Sequence, residues 1–166
     1  FALMVTLIAD KNGPKVYATY QKELQKEYDY WMDKTAATKH AVVMPDGSIL
    51  NRFYDADVKP RQESFREDME IATAESKADT AAFQQKSKEL RSGAESGWDF
   101  SSRWFADGKS INTIQTTNVI PVDLNGLLDN LELTLAKDYR QTGNLTAAVT
   151  YTNSATKHKA AIYKYC

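Results

Sequence analysis

The chain has one cysteine, two histidines and no long apolar run. A single cysteine, Cys166, excludes an internal disulfide and a cysteine-cluster metal site. His40 and His158 stand alone, without the spacing of metal ligands, so both are expected at the surface and no metal is expected. No apolar stretch approaches the roughly 18 residues a membrane span needs, so no membrane partner is expected. Lys and Arg number 21 against 22 Asp and Glu, for a net charge of −1. The two signs are interspersed, and without a basic stripe nucleic acid is not a partner. No initiator Met and no charged leader open the chain. It begins inside the apolar run Phe1 to Ala9 and stops at Cys166 in a helical pattern, so it reads as a piece of a longer protein. At 166 residues it has about the length of one ordinary domain.

Phe1 to Ala9 reads as helix, closed by Lys11-Asn12-Gly13-Pro14. Lys15 to Asp33 reads as a long helix, with Tyr17, Tyr20, Leu24, Tyr28 and Trp31 at three- and four-residue spacing forming a core stripe. Ala41 to Tyr54 reads as a short β-hairpin around Pro45-Asp46-Gly47, because Pro fixes φ and Gly accepts a positive φ. Residues 63–74 and 80–90 read as helices, the second broken at Ser92-Gly93 and Ser96-Gly97 just before Asp99. Residues 109–121 read as extended chain or loop. Leu124, Leu127, Leu128, Leu131 and Leu135 draw the clearest helical stripe, ended by Gly143. Asn144 caps a last helix toward Tyr165; the same residue opens the glycosylation-type tripeptide Asn144-Leu145-Thr146, which a cap explains equally well. The fold class is therefore mainly α with a short β-hairpin, and function lies in the loops.

The densest group of chemistry-bearing residues is Ala94-Glu95-Ser96-Gly97-Trp98-Asp99-Phe100-Ser101-Ser102-Arg103-Trp104. It sets the carboxyl of Asp99 among three aromatic residues. A carboxyl against apolar faces resists ionisation, stays protonated nearer neutral pH and can give its proton to a leaving group. Aromatic rings also suit the apolar C–H faces of sugars, so the pattern points to glycoside chemistry. The plainer alternatives are tryptophans in the core and an Asp that caps a helix. Glu95 is four residues from Asp99. It does not suit the role of second carboxylate, since an i, i+4 pair on a helix lies about 5–6 Å apart at Cβ and faces one way. An inverting site needs about 6.5–9.5 Å between its carboxyl groups, with a water between them.

That run resembles the motif around the catalytic acid of the trehalase family, glycoside hydrolase family 37. Tyr28-Asp29-Tyr30-Trp31-Met32, Leu50-Asn51-Arg52-Phe53-Tyr54, Pro60-Arg61-Gln62-Glu63-Ser64 and Ile120-Pro121-Val122-Asp123-Leu124-Asn125 resemble further family segments in the family's order. The resemblance implies part of an (α/α)6 toroid, with residues 1–166 as a middle segment of the catalytic domain. It implies hydrolysis of α,α-trehalose to two glucose molecules with inversion, without a cofactor. By it, Asp99 is the general acid and Gly97 offers its backbone to a sugar hydroxyl. Arg61 and Glu63 hold sugar hydroxyls, and Gln62 stands where the family usually has Pro. Arg61 and Glu63 could instead be a loop ion pair. The family's Gly-Gly-Arg-Phe motif with its Trp-Asp pair, its Gln-Trp-Asp motif and its general-base Glu are absent from this stretch. The segment alone is thus expected to be inactive. The hairpin and the lone cysteine point to a bacterial periplasmic or secreted enzyme. The competing readings are a different (α/α)6 glycosidase and a non-catalytic helical binding module.

Overall fold

The computed structural model describes residues 1–33 and 39–166, which contain six α-helices and one two-stranded antiparallel sheet. The mainly α architecture with a short hairpin expected from the sequence is thus present. None of the described helices is long and apolar enough to cross a membrane. The described residues fall into two compact units: those within Phe1–Lys34, Ala41–Asn51 and Ile120–Cys166, and those within Thr35–His40 and Arg52–Val119.

The first unit holds α1 (Ala2–Asn12), α2 (Lys15–Trp31), β1 (Ala41–Val43), β2 (Ile49–Asn51), α5 (Val122–Gln141) and α6 (Leu145–Tyr165). Gly13 separates α1 from α2 with φ +91°, a conformation that favours glycine. Tyr17 and Leu24 of α2 are buried, in keeping with their stripe. On α5, Leu124, Leu128, Leu131 and Leu135 are buried, but Leu127 is 61% exposed. Its position departs from the expected stripe because each helical step turns about 100°, which carries residue 127 off the face that 124, 128, 131 and 135 share. The side chain of Asn144 accepts a hydrogen bond from the Ala147 N–H and so caps α6 as expected.

The hairpin pairs Ala41 with Asn51, Val42 with Leu50 and Val43 with Ile49. Its turn is closed by Asp46, whose carboxylate accepts from both the Ser48 N–H (3.0 Å) and the Ser48 hydroxyl (2.6 Å). Asn125 of α5 ties the strand to the helices. Its Oδ1 accepts from Asn51 N–H at 2.8 Å, and its Nδ2 donates to the carbonyls of Asn51 (2.9 Å) and Pro121 (2.8 Å).

His158 is buried beside this junction, against the expectation of a surface histidine. Its Nε2 lies 3.0 Å from Asn125 Oδ1 and its Nδ1 3.3 Å from Glu132 Oε2. Asn125 spends its Nδ2 on carbonyls, so Oδ1 must face His158 and Nε2 must carry a proton. Burial raises the Glu132 carboxyl above the usual carboxylate range, and the contact with His158 opposes that shift.

The second unit holds α3 (Phe65–Ser76), α4 (Thr80–Glu95) and three short 3-10 turns. Asp79 caps α4 by accepting from the N–H groups of Ala81 and Ala82. Helix α4 does not break at Ser92-Gly93; it runs on to Glu95. A helix tolerates one glycine at a cost of about 1 kcal/mol, and here the missing side chain has a packing use. A Cβ on Gly93 would lie 3.1 Å from Phe100 Cε1 and 3.3 Å from Ile114 Cδ1. Residues 109–121 are largely irregular, as expected, with 3-10 turns at Ile111–Thr113 and Thr116–Asn118. The core of this unit is Leu90, Trp104 and Ile114, flanked by Phe53, Ile71, Phe100 and Phe105. Glu89 is buried and pairs with no cation among the described residues. Its carboxylate accepts from Thr117 N–H (2.7 Å), the Thr117 hydroxyl (2.6 Å) and Gln85 (2.5 Å), which fixes the third 3-10 turn to α4.

Candidate active site

The segment that carries Asp99 leaves α4 through a set of short hydrogen bonds. Ser96 Oγ donates to the Gly93 carbonyl (2.5 Å) and accepts from Trp98 N–H (3.0 Å). Gly97 turns the chain with φ +69°, a value that disfavours any side chain. The Trp98 carbonyl accepts twice, from Ser101 N–H (2.6 Å) and from the indole N–H of Trp104 (3.2 Å). Trp104 is fully buried, so a core residue pins the backbone on which Asp99 sits. Ser101, rather than Asp99, caps the following 3-10 turn Ser102–Trp104.

Glu95 anchors the start of the same segment. Its Oε1 lies 2.7 Å from His40 Nε2, and its Oε2 accepts from Tyr54 N–H at 2.7 Å. His40 is buried, again against the expected surface position, because its ring is part of this anchor. With both oxygens occupied, Glu95 is a structural carboxylate, which agrees with leaving it out as a second catalytic group.

The aromatic enclosure expected around Asp99 does not form among the described residues. Asp99 is exposed and Trp98 is 58% exposed, its ring facing the Arg103 guanidinium at 5.4 Å. Trp104 has gone into the core, and Phe100 fills the space over Gly93. The charge of Asp99 is one of those that act on the guanidinium of Arg61 and help to stabilise it.

Arg61 is the most constrained of the expected binding residues. Its backbone N–H donates to Asp68 Oδ2 (3.0 Å), its Nε to the same oxygen (2.9 Å) and its Nη2 to Asp68 Oδ1 (2.8 Å). One face of the guanidinium lies over the Phe100 ring, 4.8 Å from its centre. Both members of the pair are buried, Arg61 at 7% exposure and Asp68 at 1%. The Asp68 hydrogen bond holds the guanidinium above its already high ordinary range, and the charges of Asp68, Glu63 and Asp99 add to it. Arg61 is therefore ion-paired, with Asp68 of α3 as the partner rather than Glu63. Glu63, Gln62 and Gly97 are exposed.

Arg61, Glu63 and Asp99 thus share one electrostatic neighbourhood. Gln62 stands in the same loop with its side chain exposed, and Gly97 stands two residues before the acid. The sequence reading missed Asp68, Phe100 as the surface under Arg61, and the anchor made by His40 and Glu95. An acid in the first turn of α3 reads as helix-dipole stabilisation, and seven residues of separation from Arg61 carry no signal of contact. Among the described residues no group of three or more His, Cys, Asp or Glu is placed to hold a metal ion.

A family model described as trehalase matches residues 1–166. The chain belongs to the trehalase family. It is 44% identical to the periplasmic trehalase of Pseudomonas aeruginosa over 168 aligned residues, covering 98% of this chain and 30% of that protein. It is likewise 44% identical to the periplasmic trehalase of Xanthomonas campestris pv. campestris, covering 98% and 29% respectively. A periplasmic trehalase of Escherichia coli is 41% identical over 171 residues, covering 99% of this chain and 30% of that protein. The chain therefore spans about 30% of the length of these trehalases. Both the Arg61–Asp68 clamp and the Asp99 segment lie inside the matched range.

Proposed function

We propose that this chain is the part of a trehalase catalytic domain that supplies the general acid for hydrolysis of α,α-trehalose, and that its helices form part of an (α/α)6 toroid. In this reading the carboxyl proton of Asp99 passes to the glycosidic oxygen as the C1–O bond breaks. The first glucose leaves as an alcohol and Asp99 remains as carboxylate. A water adds to C1 from the opposite face and gives its proton to a second carboxylate, so the anomeric configuration inverts and one water is consumed. In this reading that base lies outside these residues, as the family resemblance implies, and Glu95 is committed to His40 and Tyr54. Arg61 presents guanidinium N–H donors to sugar oxygens, Glu63 accepts from sugar hydroxyls, and the backbone at Gln62 and Gly97 completes the polar contacts. The observation that carries the reading is an acid on a backbone pinned by buried Trp104, in one electrostatic neighbourhood with an arginine held rigid by Asp68.

The test is glucose release from trehalose by the complete reading frame that encodes this chain, as parent and as Asp99→Asn. The variant is expected to lose about 100- to 10,000-fold in kcat with its circular dichroism unchanged. Turnover equal to the parent overturns the assignment. The 166 residues alone are expected to release no glucose; release by them would mean that a base lies within this stretch.

A further inference from the structure

Arg61 is the one expected sugar-binding residue that is buried, and a buried guanidinium needs a counter-charge. Asp68 supplies it with both carboxylate oxygens, one of which also accepts the Arg61 backbone N–H. These bonds use Nε–H and one N–H of Nη2. Among the described residues no side chain takes the donors on Nη1 or the second donor on Nη2. Phe100 blocks one face of the group. The guanidinium is thus fixed in plane and in rotation, with one edge left to meet a ligand.

The same pairing has an electrostatic consequence for Asp99. A general acid must keep its proton until the glycosidic oxygen takes it, and a bare cation beside it favours the ionised form. Paired with Asp68, Arg61 presents hydrogen-bond donors with little net charge. The elements that meet here also carry Glu63 in the loop before α3, Arg66, Glu67 and Glu70 on α3, Lys86, Lys88, Glu89, Arg91 and Glu95 on α4, and Arg103 in the 3-10 turn. Arg66 pairs with Glu70, Arg91 with Asp55, Lys86 donates to the Asn112 carbonyl, Lys88 to the Tyr54 hydroxyl, and Glu89 accepts from Thr117. Glu95 is turned to His40 and Tyr54, and Arg103 to the rings of Trp98 and Trp104. Arg61 and Asp99 interact electrostatically, so the compensation of Arg61 bears on Asp99.

We propose that Asp68 is a positioning residue of the site: it aims the free edge of Arg61 at the substrate and offsets its charge, so that Asp99 can work as an acid. This rests on the reading of Asp99 and Arg61 given above. The test is the pH profile of kcat/KM for trehalose in the complete reading frame, for the parent, Asp68→Asn and Asp68→Glu. The parent must release glucose from trehalose; if it does not, the proposed function fails before Asp68 is in question. Asp68→Asn is expected to lower kcat/KM at neutral pH by roughly 10- to 100-fold, about the worth of a charge-assisted pair. It is also expected to move the alkaline limb of the profile to lower pH, because the uncompensated guanidinium favours ionised Asp99. A folded Asp68→Asn enzyme, with the circular dichroism of the parent, whose alkaline limb does not move overturns the proposal. Asp68→Glu keeps the charge and lengthens the arm by one methylene, so it covers the case in which Asp68→Asn does not fold. It is expected to keep the alkaline limb in place and raise KM. A folded Asp68→Glu enzyme with parental KM and kcat overturns the positioning role.

Discussion

Single side chains decide the pH behaviour of this chain. Asp138 on α5 is fully buried; its Oδ1 accepts from Gln21 at 2.9 Å, and its Oδ2 has no partner among the described residues. Burial drives the carboxyl up to about 6 from an ordinary value of 3.8. A carboxyl that binds its proton more tightly when folded favours folding below its unfolded value. That contribution is lost as the pH rises from about 4 through about 6. The difference of about two units corresponds to about 3 kcal/mol at most. Asp138→Asn, neutral at every pH, is expected to unfold at higher urea than the parent at pH 7.5 and to match it at pH 4. Parallel urea midpoints for the two proteins across that range would show that Asp138 ionises in the fold without penalty. No feature of the sequence marks Asp138 as buried, because Asp at a helix position reads as a solvated face. The same limit hid the burial of Asp68 and the partners of Glu95. Burial of a charged residue is decided by partners far along the chain, and spacing does not encode them. Asp99 could be singled out from the sequence for the opposite reason, since the proposal that it is the acid rests on an unbroken local motif.

Elements were legible where the signal was local. Asn144 and Gly143 punctuate helices where they stand, and the Pro45-Asp46-Gly47 turn sets the hairpin register. Gly93 misleads, because glycine is a stop signal only when nothing packs into the space it leaves. Its role yields a prediction at the scale of α4. Gly93→Ala gains about 1 kcal/mol of helix propensity, but its Cβ meets the Phe100 ring at 3.1 to 3.2 Å. Relief of that contact requires the ring to move by a few tenths of an ångström. Phe100 is only partly buried and can give way, so the two effects largely offset in stability. The moved ring is the surface under Arg61. The thermal midpoint of Gly93→Ala is therefore expected within a few degrees of the parent, while kcat/KM for trehalose in the complete protein falls several-fold, since small misplacements of a binding group are costly. A parental kcat/KM would separate the packing of Phe100 from the setting of Arg61.

For the molecule as a whole, the exposed apolar residues carry the argument. On α1, Leu3, Met4 and Leu7 are 52%, 64% and 60% exposed, while Ala2, Val5 and Ala9 of the same helix are buried. A helix that is apolar on all sides belongs inside a larger core. Leu127 of α5 and Leu145 and Val149 of α6 are also more than half exposed. Apolar surface of this kind is uncommon on a chain that stands alone and marks a face that another surface covers. The relatives are more than three times as long as the stretch that matches them, which is ample chain to cover it and to complete a toroid. The isolated 166 residues are accordingly expected to enhance the fluorescence of an apolar dye such as anilinonaphthalene sulfonate and to associate as concentration rises. The complete protein, measured alongside at equal molarity, is expected to do neither. Replacing Leu3, Met4 and Leu7 together by Gln should then reduce dye binding by the isolated chain, and destabilise the complete protein because the same residues would be core there. If the triple variant leaves the complete protein as stable as its parent, α1 is a surface helix in both settings, and the exposed apolar face gives no support to an incomplete toroid.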